Sequence, residues 1–155
     1  MKYEESVYNV RLQNIRVTSR SRSLLMSRVR HEGTNIELVV AQILDAQKER
    51  YRMNVKGLPG SPDFANDSHG WAIFVNGCFW HGHDCPHGRS PKTNLTYWKS
   101  KIDTNRVRDR RNTAKLRRQG YSVLTVWGCQ TADTNQLAWR VNRFLTRPRA
   151  REARP

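Results

Sequence analysis

Three of four side chains that could bind a soft metal ion lie in one short segment, and the fourth lies much later in the chain. They are Cys78, His83, Cys85 and Cys129, and the first three have the spacing Cys-x-x-x-x-His-x-Cys. Thiolate and imidazole are preferred zinc ligands, and four protein ligands leave no coordination position open. Because the cluster uses all three cysteines of the chain, we expect a structural zinc site that holds this segment in place.

Two alternatives to this zinc site stay open at the level of sequence. His81 and His87 compete with His83 for the fourth position, and the spacing does not decide among them. The cysteines could also be three unrelated core thiols, since free cysteine is often simply buried. The aromatic pair Phe79 and Trp80 lies in the same segment directly before His81, so the predicted loop places a reactive imidazole beside flat side chains.

A carboxylate with a candidate catalytic use follows Pro62. Asp63 begins a predicted strand, and the next apolar strand ends twelve residues later at Val75. Metal-dependent nucleases hold Mg²⁺ with oxygen ligands near the scissile phosphate, and an aspartate at a strand start suits that task. On this signal alone, an aspartate in a tight turn is the better interpretation. In such nucleases a carboxylate, any residue and a lysine usually follow. In this chain Phe74, Val75 and Asn76 stand at those three positions.

The charge of the chain indicates a polyanionic partner. The net charge is +15, from 28 Lys and Arg against 13 Asp and Glu, which favours nucleic acid. Seven cations lie between residues 106 and 118, where only Asp109 offsets them. Such a run often forms a solvated helix face, but its one-sided charge favours contact with phosphates. The seven residues are Arg106, Arg108, Arg110, Arg111, Lys115, Arg117 and Arg118.

Other features of the composition limit the location. No apolar run approaches the ~18 residues that a bilayer-spanning helix needs, and the N-terminal segment lacks the apolar core of a signal peptide. We therefore expect a cytoplasmic protein without membrane association, and we expect a monomer. In a reducing compartment, three cysteines form a metal site more readily than a disulfide framework.

Apolar periodicity predicts the elements that position these groups. Thr34-x-x-Glu37 reads as a capping box before a helix whose apolar residues recur through Leu44. Strands are predicted at 51–55, from 63, at 71–75 and at 121–127. A long helix over 94–119 with a break near Asp103, ended by Gly120, and a last helix through 137–145 complete the pattern. A short basic helix is also predicted from Thr18, and we expect its Arg28 and Arg30 to face phosphate or solvent.

The order of these elements predicts an α/β fold with a mixed central sheet flanked by helices. A chain of 155 residues fits one domain. We expect an N-terminal extension over residues 1–17, a folded domain over residues 18–145, and a basic, disordered tail over residues 146–155.

Six longer motifs carry a specific resemblance. They are Met26-Ser27-Arg28-Val29-Arg30, Leu58-Pro59-Gly60-Ser61-Pro62-Asp63-Phe64, Ile73-Phe74-Val75-Asn76-Gly77-Cys78-Phe79-Trp80-His81, Trp98-x-x-Lys101-Ile102, Asn105-x-x-Arg108-Asp109-x-Arg111 and Val126-Trp127-x-Cys129. Over about residues 18–145 the chain resembles the Vsr family, the very short patch repair endonucleases. The resemblance implies a restriction-endonuclease-like fold of the PD-(D/E)XK superfamily.

The resemblance also implies an activity. Members of this family carry out Mg²⁺-dependent nicking of double-stranded DNA 5′ to the thymine of a T·G mismatch, which arises by deamination of 5-methylcytosine. Asp63 matches the metal-binding aspartate, and Val75 stands where a backbone carbonyl also binds Mg²⁺. His81 matches the general base, and Glu37 matches an acidic residue that orients water or the histidine. Glu37 has an equally good structural explanation in its capping box.

Further positions follow from the same resemblance. The four ligands Cys78, His83, Cys85 and Cys129 match the structural Zn²⁺ site. Three aromatic residues match the wedge that enters the duplex beside the mismatch: Phe79, Trp80 and Trp98. Without the family pattern, the aromatic residues would be assigned to the core and His81 to a spare zinc ligand or the surface.

One position departs from the family pattern. Asn76 stands where the family usually has a second active-site histidine. An amide can form hydrogen bonds but cannot exchange a proton near neutral pH, so a proton-transfer role at this position is lost. Two other functions therefore stay open: a mismatch-binding module with impaired cleavage, and a sequence-specific endonuclease of the same fold that cuts matched DNA.

Overall fold

The structure is a computed structural model that describes residues 34–147. The predicted N-terminal extension, the predicted basic helix with Arg28 and Arg30, and residues 148–155 of the predicted tail lie outside the described residues. The helices are α1 (Asn35–Ala46), α2 (Leu95–Arg118) and α3 (Thr134–Leu145). The strands are β1 (Arg52–Met53), β2 (Phe64–Asn66), β3 (Trp71–Asn76) and β4 (Ser122–Trp127), and 3₁₀ turns cover Pro86–Gly88 and Gly128–Ala132.

The four strands form one mixed sheet in the order β1, β2, β3, β4. β2 pairs with its neighbours β1 and β3 in antiparallel fashion, whereas β3 and β4 are parallel. Parallel pairing makes β3 and β4 end at the same edge, where Asn76 is in register with Trp127. The loops that follow these two strands therefore begin side by side, and they carry the predicted metal ligands.

The core explains why β3 reads as a continuous apolar run. Trp71, Ala72 and Ile73 are each 0% exposed, because one face of the sheet packs against α1 and α3 while the other packs against α2 and the β1 to β2 loop. A strand covered on both faces has no need for alternating polar residues. β3 therefore lies in the core of the fold, and its end fixes where the following loop begins.

Helix α1 begins with the predicted capping box. The Thr34 hydroxyl accepts a hydrogen bond from the Glu37 backbone N–H at 3.4 Å, and the Glu37 carboxylate accepts one from the Thr34 backbone N–H at 3.4 Å. The Thr34 hydroxyl also donates to the same carboxylate at 2.7 Å. The cap satisfies backbone donors that the first turn leaves unpaired. It also fixes Glu37, which is 3% exposed, at the N-terminal end of α1.

Two predicted elements differ from the structure. The first strand extends only over Arg52–Met53, because Asn54 adopts a left-handed backbone with φ +48° and interrupts the regular pairing. The backbone N–H groups of Asn54 and Val55 still donate to the carbonyls of Asp63 and Pro62. The prediction of a break near Asp103 was wrong, since α2 is a continuous helix over Leu95–Arg118. Asp103 lies on the exposed face of α2, where an aspartate costs little helix stability. Gly120, with φ +88°, follows this helix as predicted.

No helix within residues 34–147 combines the length and the apolar character that crossing a bilayer requires.

Candidate active site and metal centre

Asp63 lies at the edge of the sheet where β3 ends. It directly precedes β2, and its carboxylate Oδ2 accepts a hydrogen bond of 2.6 Å from the backbone N–H of Val75. The antiparallel register pairs Phe64 with Ile73, which places Asp63 beside the last residues of β3. The carboxylate is thus held next to the Val75 peptide, so the two positions named from the sequence lie together.

The pKa of Asp63 reflects its burial and a second carboxylate nearby. Burial is the main cause that raises this pKa from 3.8 to about 6; the hydrogen bond from Val75 acts against the rise, and the negative charge of Glu37 contributes to it. The positive form of His81 acts in the opposite direction on the same pKa. A buried and a half-buried carboxylate that repel each other are stabilised by a hard divalent cation, which prefers oxygen ligands. The donor set therefore fits a metal ion of this kind.

His81 pairs with a carboxylate from the long helix. Asp109, on α2, contacts His81 Nδ1 through its Oδ2 atom. The side chains are 17% and 30% exposed, so the pair is partly withdrawn from water. A carboxylate on Nδ1 orients the ring and leaves Nε2 as the nitrogen that can take a proton from a reactant. The arrangement can support general-base chemistry.

Asp109 was given no site role from the sequence, although it stands in the motif Asn105-x-x-Arg108-Asp109-x-Arg111 and is the one acid that offsets a basic run. The available signal was its isolation among seven cations between residues 106 and 118. Its partner, His81, lies 28 residues earlier, and no local periodicity connects a loop residue to a helix at that distance.

The four predicted soft ligands converge. One ligand atom from each of Cys78, His83, Cys85 and Cys129 lies within 4.8 Å of all the others. His83 enters this group through Nδ1, which is 3.5 Å from the Cys129 Sγ atom. His81 is instead engaged by Asp109, so the geometry favours His83 over its nearest competitor. Separations of this size fit tetrahedral coordination of one metal ion.

The environment of the thiols supports a bound cation. Burial would raise the pKa of the Cys85 thiol, but hydrogen bonds with His83 and Cys78 outweigh it and lower that pKa to about 7. In contrast, burial and the neighbouring thiols Cys78 and Cys85 together raise the pKa of the Cys129 thiol to about 12. Thiols that oppose one another's ionisation in this way need a cation before they can all be thiolates. The Cys129 backbone N–H donates to Cys78 Sγ at 3.3 Å, a contact that helps orient a sulfur ligand.

The metal centre joins the ends of two parallel strands. Cys78 lies two residues after β3, and Cys129 lies two residues after β4. The His83 ring stacks on Trp127 with centroids 4.3 Å apart and an interplanar angle of 18°. A metal ion here would therefore hold the loop that carries Phe79, Trp80 and His81 against the sheet.

The three predicted wedge residues form one aromatic cluster. Trp98 packs edge-on against Phe79 at 5.0 Å and against Trp80 at 6.0 Å between ring centroids. Phe79 and Trp80 are half-buried, whereas Trp98 is only 9% exposed. Trp98 thus lies on the buried side of the other two rings and supports them. The adjacent Tyr97 on α2 is 58% exposed and provides the outer aromatic surface.

The basic run lies on the exposed surface of α2. All seven cations are exposed, and only a weak contact of 3.9 Å joins Arg108 to Asp109 among the described salt bridges. Uncompensated cations on one helix suit the phosphates of a nucleic acid backbone. Arg28 and Arg30 lie outside the described residues. Asn76 is half-buried at the end of β3, two residues before Cys78.

The site combines a carboxylate suited to a hard cation, a histidine oriented by a second carboxylate, and an exposed basic helix. On a mixed sheet, this combination defines the class of the protein as metal-dependent nuclease. The family model described as "DNA mismatch endonuclease Vsr" matches residues 16–87. The chain belongs to the Vsr family: it is a DNA endonuclease, a hydrolase that cleaves DNA, with the restriction-endonuclease-like mixed α/β fold. The resemblance and the fold class predicted from sequence are confirmed.

Three relatives illustrate the similarity. The "Type II nicking enzyme V.XorIIP" of Xanthomonas oryzae pv. oryzae is 41% identical over 130 residues, which cover 84% of this chain and 96% of the relative. The "Type II nicking enzyme V.NmeAIP" of Neisseria meningitidis is 35% identical over 128 residues, 83% of this chain and 91% of the relative. The "DNA mismatch endonuclease Vsr" of Escherichia coli is 39% identical over 109 residues, 70% of each chain.

Proposed function

We propose that this endonuclease nicks one strand of duplex DNA on the 5′ side of the thymine in a T·G mismatch, the product of 5-methylcytosine deamination. The observation that carries the proposal is the meeting of Asp63, the Val75 peptide and the His81–Asp109 pair at one edge of the sheet. The names of the relatives support it from a separate direction, since one is a DNA mismatch endonuclease and two are nicking enzymes.

Each residue has a defined task in this proposal. Asp63 and the Val75 carbonyl hold Mg²⁺, which supplies charge stabilisation at the scissile phosphate when bound. His81 takes a proton from the attacking water at Nε2, and the water oxygen bonds to phosphorus as one P–O ester bond breaks. The released oxygen takes a proton from solvent, so the nick has a hydroxyl on one side and a phosphate on the other. Asp109 orients the ring through Nδ1. Glu37 adds negative charge beside Asp63, which strengthens the preference of this site for a divalent cation.

The second metal has a structural task. Cys78, His83, Cys85 and Cys129 bind Zn²⁺, because three thiolates and an imidazole form a soft, four-ligand, closed set. Hard Mg²⁺ does not suit sulfur ligands. The two ions are therefore sorted by ligand type, with oxygen ligands at Asp63 and sulfur ligands in the cluster.

Recognition of the mismatch combines the basic helix with the aromatic cluster. The exposed cations of α2 bind phosphates without regard to sequence. Phe79 and Trp80, supported by Trp98, enter the base stack beside the mismatch. Unstacking a base step costs a few kcal/mol, and the cost is lower where the pair is already mismatched. The wedge would thus favour T·G over paired DNA.

The Asp109–His81 contact leads to a prediction. Asp109→Asn should lower the single-turnover nicking rate by about 10²-fold or more, because a neutral amide neither holds the imidazole as firmly nor stabilises its protonated form. The rate is measured on a labelled T·G duplex at saturating enzyme, together with DNA affinity. Asp103→Asn, on the exposed face of the same helix, is the matched control. A full rate in the Asp109 variant would remove the pair from the mechanism.

Asn76 leads to a second prediction. Asn76→His should raise the nicking rate by about 10-fold, since an imidazole at this edge of the sheet can exchange a proton near neutral pH and an amide cannot. Asn142→His, exposed on α3, controls for the added ring. A slower Asn76→His enzyme would contradict the view that the amide limits catalysis.

Two neighbouring functions remain as competitors. Asn76 favours a mismatch-binding protein with impaired cleavage, and the nicking-enzyme names of the relatives are compatible with cutting at matched sites. A covalently closed heteroduplex circle with one T·G pair tests the reaction type. We expect conversion to the nicked circle when Mg²⁺ is present and no reaction when it is absent. A linear product would contradict single-strand nicking, and tight binding with no cleavage would support the binding module.

A further inference from the structure

One face of helix α2 lies against the loop between Phe79 and Gly82. Three residues of the helix contact that loop, and their positions are separated by three and four residues: Ile102, Asn105 and Asp109. Residues at this spacing share one face of an α-helix. The loop is therefore held by the helix as well as by the soft-ligand cluster at Cys78 and His83.

The first contact is a close approach of backbone to helix. Gly82 has φ +60°, and a Cβ atom at this position would lie 2.5 Å from Ile102 Cγ2. Ile102 is 6% exposed, so it has little room to move away. The Gly82 N–H donates to the Phe79 carbonyl at 3.3 Å, which closes a tight turn. The turn that contains Trp80 and His81 thus rests directly on α2.

The second contact is a hydrogen bond to the loop backbone. Asn105 Nδ2 donates to the Trp80 carbonyl oxygen at 2.9 Å. The bond is half-buried and joins residues 25 positions apart in the chain. It holds the peptide between Trp80 and His81, the point at which the aromatic part of the loop meets the imidazole. By contrast, Asp109 holds only the ring of His81.

We propose that Asn105 is a positioning residue that sets the Trp80–His81 peptide, and through it both the aromatic wedge and the general base. The tasks of the wedge and base rest on the proposed function. A loop anchored by metal ligands at Cys78 and His83 can still rotate about those two points. Packing of Gly82 on Ile102 limits this rotation near one end of the loop, and the bond from Asn105 fixes the peptide at its middle. In this way one side chain couples base unstacking to water activation.

The inference is tested first on the free, zinc-loaded protein, without DNA. Asn105→Ala should speed hydrogen exchange of the Gly82 and His83 amides about fivefold, as expected from loss of one hydrogen bond, while zinc content stays the same. Thr104→Ala is the matched control, because Thr104 is exposed on the same helix and its hydroxyl donates only to the Ser100 carbonyl within that helix. Equal exchange in the two variants would overturn the inference.

An isosteric pair covers the case in which Asn105→Ala disturbs the fold. Asn105→Asp keeps the shape but removes the donor, and Asn112→Asp adds the same charge to the same helix, where no described hydrogen bond of its side chain is lost. We expect faster loop exchange in Asn105→Asp alone. Exchange that rises equally in both variants would overturn the inference, since charge and not the donor would be its cause.

Activity gives a second readout on whichever duplex the wild-type enzyme cuts. Asn105→Ala should lower the single-turnover rate by up to about 10²-fold, the effect of a small misplacement of reacting groups. It should also lower the fluorescence increase of 2-aminopurine at the target step, whereas Asp109→Asn should lower the rate alone. A normal fluorescence change in Asn105→Ala would contradict the coupling. Equal cutting of T·G and matched DNA by the wild type would contradict only the proposed function.

Discussion

Asp63→Asn is expected to lower the Mg²⁺-dependent nicking rate by at least about 10³-fold, which corresponds to about 4 kcal/mol of activation free energy. The amide keeps the shape and can still accept the hydrogen bond from Val75, but it lacks the charge that binds a hard cation. Single-turnover rates on a T·G duplex over a range of Mg²⁺ concentrations measure the effect. DNA affinity should change little, because the exposed cations of α2 are untouched.

Asp67→Asn is the matched control for this variant. Asp63 directly precedes β2 and Asp67 directly follows it, so the two substitutions are chemically identical at opposite ends of one strand. Asp67 bonds to Arg52 and Tyr121 on the surface, away from the candidate site. Nicking at the normal rate in Asp63→Asn, or an equal loss in Asp67→Asn, would contradict a catalytic task for Asp63.

The stability of the same variant has a defined pH dependence. Folding raises the pKa of Asp63 from 3.8 to about 6, so the ionised carboxylate destabilises the fold. This destabilisation is absent below about pH 4, grows between pH 4 and 6, and is complete above pH 6. Without added Mg²⁺, Asp63→Asn should therefore be more stable than the wild type at pH 8 and equally stable at pH 4. A loss of stability at pH 8 would show that Asp63 is structural.

Cys129→Ser is expected to release the zinc ion and to lower the melting temperature by more than about 10 °C. A structural zinc site contributes directly to folding free energy, and each lost kcal/mol lowers Tm by about 2–4 °C in a domain of this size. The loss should spread beyond the cluster, because Cys129 follows β4 and its partner Cys78 follows β3. Metal analysis and thermal unfolding of the purified variant measure both effects.

His87→Ala separates this account from the alternative ligand set. His87 is exposed in the 3₁₀ turn and lies outside the group of four converging ligands. Its replacement should leave zinc content and Tm close to those of the wild type, whereas His83→Ala should resemble Cys129→Ser. Zinc loss in His87→Ala with retention in His83→Ala would show that the fourth ligand has been misassigned.

Local patterns predicted much of the fold because they report on local physics. The capping box at Thr34 and Glu37 satisfies neighbouring backbone groups, and Gly120 supplies the positive φ that follows a helix end. The apolar run of β3 reflects burial on both faces. The short first strand was not predictable in the same way, since its end depends on the left-handed backbone of Asn54.

The site was only partly predictable, for a different reason. Asp63, His81 and the soft ligands stand in dense motifs that a linear reading detects. Asp109 and Asn105 reach the loop from α2 across 28 and 25 residues, and their tasks depend on how the helix packs. The near-complete burial of Trp98 likewise follows from packing under Phe79 and Trp80. A sequence pattern does not show which distant loop a polar side chain on a helix will contact.

The most direct test of the central claim compares two duplexes that differ by one base. The labelled strand has thymine opposite guanine in one duplex and cytosine opposite guanine in the other, and the two duplexes are otherwise identical. Each is incubated with zinc-loaded enzyme and Mg²⁺. We expect one nick, on the 5′ side of the thymine in the T·G duplex, and a rate at least about 10²-fold lower on the C·G duplex, since the wedge must then unstack a fully paired step. Equal cutting of the two duplexes, or cleavage of the guanine strand, would contradict mismatch-directed nicking.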